Sequence, residues 1–311
     1  MTSYLVTGGA GFIGSHIAQS LLQNYNKVRI LDNFSTGKVE NLHGLEGDLE
    51  IIHGDIRDKE QVKKSVEDID IVFHEAAFVS NPRSLLQPAE CYDINVHGTE
   101  NLLEASRNAG VKRVVLASSA AVYGNSDGFP LKEESKVIPQ TPYAASKFIN
   151  EIYAGLYTRV FSIEVVSLRY FNVFGPRQSP DSEYAGAIPI FISNLLSKEQ
   201  ITIYGDGKQT RDLIYVDDVV RVNLIAAEHP SATGQVFNIC TGIETSVQVL
   251  VESLRQLFPP SNEPNRNQAR VGDIYRSQGK PDKAREMLDF VPETSLIEGL
   301  KKTIEWMRKC Q

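Results

Sequence analysis

The sequence predicts an α/β protein: a doubly wound parallel sheet joined to a smaller C-terminal α/β lobe. Three observations carry this expectation. Short apolar, β-rich runs alternate with amphipathic helical stretches through the first half of the chain. A glycine-rich turn follows the first run and opens the first helical stretch. After Asn172 the regular alternation gives way to polar loops and shorter elements.

Taken in order, the β-rich runs are YLVT (4–7), KVRIL (27–31), LEIIH (49–53), DIVFH (70–74), KRVVLAS (112–118) and SIEVVSLRY (162–170). They are continuous rather than alternating in hydrophobicity, as strands covered on both faces are. Between them lie HIAQSLLQ (16–23), EQVKKSVED (60–68) and GTENLLEASRNAG (98–110), with apolar residues at helical spacing. GPRQSPDSEYAG (175–186) reads as loop and AIPIFISNLLSK (187–198) as helix. RDLIYVDDVVRVNLIAA (211–227) is strand then helix, VFNIC (236–240) is a strand, and FPPSNEPNRNQ (258–268) is a loop rich in proline and asparagine. One or two helices close the chain near Lys309. The expected division is a nucleotide-binding domain over 1–172, to which 212–240 returns, and a substrate-binding lobe over 173–311.

The 311 residues are 41% hydrophobic and 23% charged, enough to bury a sizeable core. A formal charge of −7 argues against a nucleic-acid binder that works through a basic face. Cys91, Cys240 and Cys310 are far apart and odd in number, so neither a disulfide framework nor a zinc site is expected and a reducing, cytoplasmic setting fits. The six histidines lack ligand spacing, and no metal is expected. No basic segment followed by a long apolar region opens the chain, and no apolar run approaches 18 residues, so neither a signal peptide nor a membrane span is expected.

TGGAGFIG (7–14) places Gly8, Gly11 and Gly14 directly after a strand and at the start of a helix. Gly8 suits a tight turn, Gly11 a close approach of backbone to a pyrophosphate, and Gly14 close packing of helix on strand. The helix N-terminus then offers free N–H groups to the phosphates. Asp32 ends the second run about 20 residues on, where a carboxylate accepts the ribose hydroxyls of adenosine and repels a 2′-phosphate. The context makes this a Rossmann-type dinucleotide site that takes NAD rather than NADP. Asp55 follows the third run; it is placed either to meet the adenine or to cap the next helix.

Two tyrosines precede a lysine by four residues. In YGDGK (204–208) two intervening glycines make a turn. In TPYAASK (141–147) Thr141 is a good N-cap and Pro142 suits the first helical position, so Tyr143 and Lys147 share one face of a helix. A lysine ammonium there is expected to lower the phenol pKa and make Tyr143 a base. LASSAAVYG (116–124) brings Ser118 or Ser119 to the carboxyl end of a parallel strand, where ligands bind, as a hydrogen-bonding partner of the reacting hydroxyl.

Together with HGDI, HEAA (74–77), Asn95, YFNVFGPRQSP (170–180), IYGDGKQTRDLIYVDD (203–218) and ARVGDIYRS (269–277), these segments resemble the extended short-chain dehydrogenase/reductase superfamily over nearly the whole chain. Within it the sequence is most similar to NAD-dependent nucleotide-sugar 4-epimerases acting on UDP-hexoses. The resemblance implies a catalytic trio of Ser119, Tyr143 and Lys147. It implies that Phe12, Ile13, Asn33, Ser35, Thr36, Gly37, Ile56, Ala76, Ala77, Asn95 and Tyr170 join the glycines, Asp32, Asp55, Tyr143 and Lys147 around NAD. It implies a UDP-sugar held by Ser80, Ser119, Tyr143, Asn172, Ala187, Ile188, Thr202, Ile203, Tyr204, Arg211, Arg270, Asp273 and Ser277. A homodimer is expected on the same ground.

Two departures from relatives of the superfamily sharpen the expectation. Dehydratases and decarboxylases place acids just after the catalytic Ser/Thr, where this chain has Ala120 and Ala121. Elimination then lacks its acid, which favours oxidation and re-reduction at one carbon. Ser277 stands where a bulky tyrosine would exclude N-acetyl sugars, so the site is expected to admit them. The expected activity is C4 epimerisation of UDP-GlcNAc/UDP-GalNAc, UDP-Glc/UDP-Gal or both through a transient 4-keto sugar. The alternatives are a UDP-uronate 4-epimerase with Arg177 as the carboxylate partner, another nucleotide-sugar enzyme of the superfamily, or a non-catalytic NAD-binding regulator.

Overall fold

The computed structural model describes residues 2–180, 186–259, 263–268 and 274–310. Through the first half, strand and helix alternate as β1 (Ser3–Thr7), α1 (Phe12–Gln23), β2 (Lys27–Asp32), β3 (Asp48–His53), α2 (Lys59–Ser65) and β4 (Ile71–His74). Two short helices, α3 (Asn81–Leu86) and α4 (Pro88–Tyr92), lead through a π-turn at Asp93–His97 into α5 (Gly98–Ala109). Then come β5 (Arg113–Ser119), α6 (Pro142–Phe161), β6 (Glu164–Tyr170), β7 (Asn172–Phe174) and α7 (Ala187–Leu196). The chain continues with β8 (Thr202–Tyr204), β9 (Thr210–Tyr215), α8 (Val216–Glu228), β10 (Val236–Ile239) and β11 (Glu244–Ser246). It ends with α9 (Val247–Leu257), β12 (Asn265–Asn267), α10 (Asp282–Leu288) and α11 (Leu296–Lys309).

Seven strands form one parallel sheet in the order β10-β6-β5-β4-β1-β2-β3. The order reverses between β1 and β4, so a crevice opens there at the carboxyl ends of the strands. The predicted doubly wound sheet is present; its central strands are apolar because helices cover both faces, whereas the edge strand β3, expected to be covered likewise, is largely exposed, with Ile51 facing solvent. On one face Ile17, Ala18 and Leu21 of α1 pack with Val219, Val222 and Ala226 of α8. On the other, Val62 of α2, Leu102 and Leu103 of α5, and Ala154 and Tyr157 of α6 form the matching layer.

The C-terminal lobe has its own core. Ile188 and Ile192 of α7, Leu250 and Leu254 of α9, and Leu300 and Ile304 of α11 close over Tyr215 and Ile203, and Phe12 and Ile13 pack against this cluster. A three-stranded sheet, β11-β9-β7, and the parallel pair β12-β8 complete the lobe.

The first helix begins at Phe12, four residues before the amphipathic stretch, because the glycine turn itself supplies its first residues. Asn265–Asn267, read as loop from the sequence, pairs with β8. The stretch 175–186, also expected as loop, falls partly at 181–185, outside the described residues.

Candidate active site

The crevice is built around the start of α1. Gly8 lies at φ +68° and its N–H donates to Leu31 O at 2.8 Å, which locks the turn against β2. Gly11 is the N-cap of α1 and no side chain caps that end. The amides of the first turn are therefore open to an anion, the arrangement a pyrophosphate requires. Gly14 is buried and packs on Gly8.

Asp32 does more than end β2. Its Oδ2 accepts from Ala10 N at 2.9 Å and its Oδ1 from Phe34 N at 2.8 Å, so it clasps the glycine turn to the loop that carries Asn33, Ser35, Thr36 and Gly37. Gly37 lies against the Asp32 carboxylate, Ser35 N donates to Asn33 Oδ1 at 3.0 Å, and Ser35 and Thr36 are exposed. Asp55 accepts from Asn33 Nδ2 at 2.8 Å and from Arg57 through Nε at 2.9 Å and Nη2 at 2.8 Å, and the Arg57 guanidinium holds its carboxyl well below the usual range. It does not cap the next helix: Asp58 does, accepting from Glu60 N and Gln61 N. Ile56 turns its side chain into the core against Gly98.

Ala76 and Ala77 line the loop after β4, half-buried. Asn95 is 1% exposed, and its amide is committed to that loop and to α6: Oδ1 accepts from Phe78 N at 2.7 Å, and Nδ2 donates to Ser146 Oγ at 2.9 Å. The part that the structure gives it is to hold the cleft wall. His74 is a satisfied core histidine, bonded to Thr7 Oγ1 at 2.7 Å and Thr99 Oγ1 at 2.9 Å; burial lowers its pKa to about 3.

Helix α6 starts as the sequence predicts. Thr141 Oγ1 accepts from Ala144 N at 3.2 Å, and Pro142 occupies the first turn. Two contacts that the sequence did not reveal fix this end: Thr141 Oγ1 donates to Asn81 Oδ1 at 2.6 Å, and Tyr143 N donates to Ser84 Oγ at 3.2 Å. YGDGK is a turn, with Gly205 and Gly207 both at φ +77°.

Tyr143 is 8% exposed and lies beside the Ser119 side chain. Ser119 Oγ accepts from Ala121 N at 3.1 Å, which leaves its hydrogen and one lone pair free to face the phenol oxygen. Ser118 is buried and donates instead to Glu151 Oε1, further along α6, at 2.5 Å. Of the two candidate serines, Ser119 is the one beside Tyr143. Lys147 is buried and donates through Nζ to Ala117 O at 2.8 Å.

The expected lowering of the Tyr143 pKa is not what the protein alone produces. Burial pushes the phenol up; the adjoining Ser119 hydroxyl opposes this, and Cys91 and Glu75 push it up further. Burial also pushes the Lys147 amine down, and Glu75 opposes this most. The correction is physical: a helix turn places the ammonium, but desolvation of the whole cluster is the larger effect.

Glu75, within the HEAA motif, had no role assigned from the sequence. It follows β4 and is half-buried at the cleft, with its carboxyl pushed up by burial. Tyr170 OH is 2.8 Å from Glu75 Oε1, and Asn223 Nδ2 donates to Tyr170 OH at 2.8 Å. Tyr170 is thereby fixed at the end of β6, beside the expected cofactor site.

Among the residues expected to hold the sugar nucleotide, Ser80 caps α3, accepting from Arg83 N at 3.1 Å. Asn172 opens β7 and is exposed, Ala187 is exposed at the start of α7, and Ile188 and Ile203 are buried in the lobe core. Thr202 and Tyr204 flank Ile203 on β8, half-buried. Arg211 lies on β9, half-buried, with Nη1 2.8 Å from Thr210 O. Ser277 is half-buried; Arg270 and Asp273 lie outside the described residues. Arg177 turns toward α1, where Nη2 donates to Gln19 Oε1 at 2.6 Å.

The chain resembles known proteins over its whole length. The NAD dependent epimerase/dehydratase family pattern matches residues 4–240. A putative UDP-glucose 4-epimerase of Methanocaldococcus jannaschii is 42% identical over 306 residues, covering 98% of each chain. A UDP-N-acetylglucosamine 4-epimerase of Methanobrevibacter ruminantium, solved with UDP-N-acetylmuramic acid, superposes with a TM-score of 0.96 at 38% identity, over 100% of this chain and 99% of that one. A Thermus thermophilus UDP-glucose 4-epimerase solved with NAD gives a TM-score of 0.90 at 34% identity, over 100% of both chains.

Proposed function

The chain belongs to the NAD dependent epimerase/dehydratase family, and from that premise we propose that it inverts C4 of a UDP-hexose through a transient 4-keto sugar. NAD is the family's cofactor, and the uncapped start of α1 fits its pyrophosphate. Bound there, it would supply a hydride acceptor for the sugar C4 and a positive ring whose charge would oppose the burial that keeps the Tyr143 proton in place. Tyr143 takes the proton of the 4-hydroxyl, directly or through Ser119, and returns it after the ketone has turned its other face. Lys147 contributes a buried positive charge one helical turn away. Arg211, with Arg270, holds the diphosphate about which the sugar turns; a guanidinium engages two oxygens at once.

The observation that carries this reading is that Ser119, which lies beside Tyr143, is followed by Ala120 and Ala121. It offers proton transfer at a hydroxyl and no acid for elimination. The half-buried Ser277 supports admission of N-acetyl sugars, so UDP-GlcNAc/UDP-GalNAc joins UDP-Glc/UDP-Gal as the proposed pair. The orientation of Arg177 toward Gln19 speaks against the uronate alternative. The test is the product spectrum over a panel of UDP-sugars without added reductant: C4 epimers are expected, and keto or decarboxylated products would sink the proposal.

We further propose a homodimer in a reducing, cytoplasmic setting. Ile152, Leu156 and Val160 make an exposed stripe at four-residue spacing on α6, with Leu85 and Leu86 of α3 also exposed. Among the described residues no helix is long and apolar enough to cross a membrane.

A further inference from the structure

β5 and α6 are joined rung by rung. The Ser119 side chain meets Tyr143, Ala117 O accepts from Lys147 Nζ at 2.8 Å, and between them Ser118 Oγ donates to Glu151 Oε1 at 2.5 Å. Three consecutive strand residues thus meet three helix residues spaced four apart on one face of α6. Two rungs hold the groups of the proposed reaction. The third holds none, yet it is the most firmly anchored. Arg169 on β6 grips Glu151 through Nε to Oε1 at 2.8 Å and Nη2 to Oε2 at 2.7 Å, with both side chains at most 5% exposed. Arg169 is itself held by Tyr123 OH at 2.8 Å and Glu133 O at 3.0 Å.

We infer that Glu151, with Ser118 and Arg169, is a positioning residue for the epimerisation: it sets the rotation of α6 on β5, and through it the contact between Ser119 and the Tyr143 oxygen. The carboxylate is spent on three donors, so it has no part in binding a ligand. Stability alone does not require the pair, since buried ion pairs are often replaced by apolar side chains without loss. Rotation matters because leverage is long. A turn of α6 by roughly 7° moves a phenol oxygen on the order of 8 Å from the helix axis by about 1 Å, enough to lower turnover about 100-fold. Without the third rung α6 remains attached at Ala117, Asn81 and Ser84, so the change is in register and not in folding.

The inference rests on Tyr143 as the base, and its test separates the two. Glu151→Met/Arg169→Met removes both charges together, so neither is left buried and unpaired. In the NAD-loaded enzyme, the expected result is kcat lowered about 10- to 100-fold, with KM, bound NAD and melting temperature near those of the parent. A kcat within two-fold of the parent, or NAD lost in step with turnover, overturns the positioning role. If the double variant does not fold, Ser118→Ala decides: kcat lowered several-fold at unchanged KM supports the inference, and unchanged kcat overturns it. Tyr143→Phe run alongside identifies which idea failed. If it keeps turnover, the base is wrong; if it abolishes turnover while the other variants are unaffected, only the positioning role falls.

Discussion

Gly14→Ala puts the nucleotide cradle under a defined load. A methyl at this position would press into Gly8 O and lie 2.9 Å from Gly8 C and 3.0 Å from Gly9 Cα, where ordinary contact begins near 3.5 Å. The obstacle is backbone, so no rotamer relieves it. Nor can the turn retreat: Gly8 is tied to Leu31 O at 2.8 Å, and a Cβ on it would already stand 2.7 Å from Ala76 N. The helix and the turn must separate by on the order of 1 Å, which at the cost of overpacking amounts to about 1–3 kcal/mol. At about 2–4 °C per kcal/mol, the melting temperature should fall by about 2–12 °C. The same displacement moves the α1 amides off the pyrophosphate; losing one charge-assisted hydrogen bond, about 1.5–3 kcal/mol, weakens NAD binding about 10- to 100-fold. Thermal unfolding with and without added NAD, and the NAD content of the purified protein, read both effects. Gly128→Ala, where a methyl meets nothing within 4 Å, is the control. A Gly14→Ala protein with full NAD and the parent melting temperature would refute the reasoning.

Three further outcomes follow from the same geometry. His74 stays neutral in the folded chain, with a pKa of about 3 against 6.5 unfolded, so its stability is present above pH 6.5 and lost as pH falls. At about 1.4 kcal/mol per pH unit it costs about 2 kcal/mol by pH 5, and His74→Gln should flatten the acid limb of denaturant-measured stability by that amount; an unchanged limb would contradict it. Ser277→Tyr should lower kcat/KM for UDP-GalNAc about 100-fold while leaving UDP-Gal within a few-fold, read from initial rates on the two sugars; parallel losses would remove Ser277 as the gatekeeper. Ile152→Glu should convert the proposed dimer to a monomer by light scattering, and a parent that is itself monomeric would dismiss that interface.

Much of the fold was legible because its determinants are local. TGGAGFIG and TPYAASK are read by short-range sterics and capping, and the chain places them at the starts of α1 and α6. What stayed hidden depends on residues far apart in sequence. The choice between Ser118 and Ser119 is made by Glu151, over 30 residues away, and the anchoring of Tyr143 by Ser84, 59 residues away. The pairing of Asn265–Asn267 with β8 left no trace because all three residues are exposed and polar. The direction of the Tyr143 shift was misread because burial is a property of the assembled cluster, whereas the Tyr–Lys spacing is a property of one helix turn. Arg270 and Asp273 lie outside the described residues.

The most direct measurement is the fate of deuterium placed at C4 of UDP-Gal. Oxidation and re-reduction at one carbon by a retained cofactor predicts that the epimer carries the full label at C4, with none in the solvent. Loss of the label to water, or inversion with the label intact in protein stripped of NAD, would contradict the account.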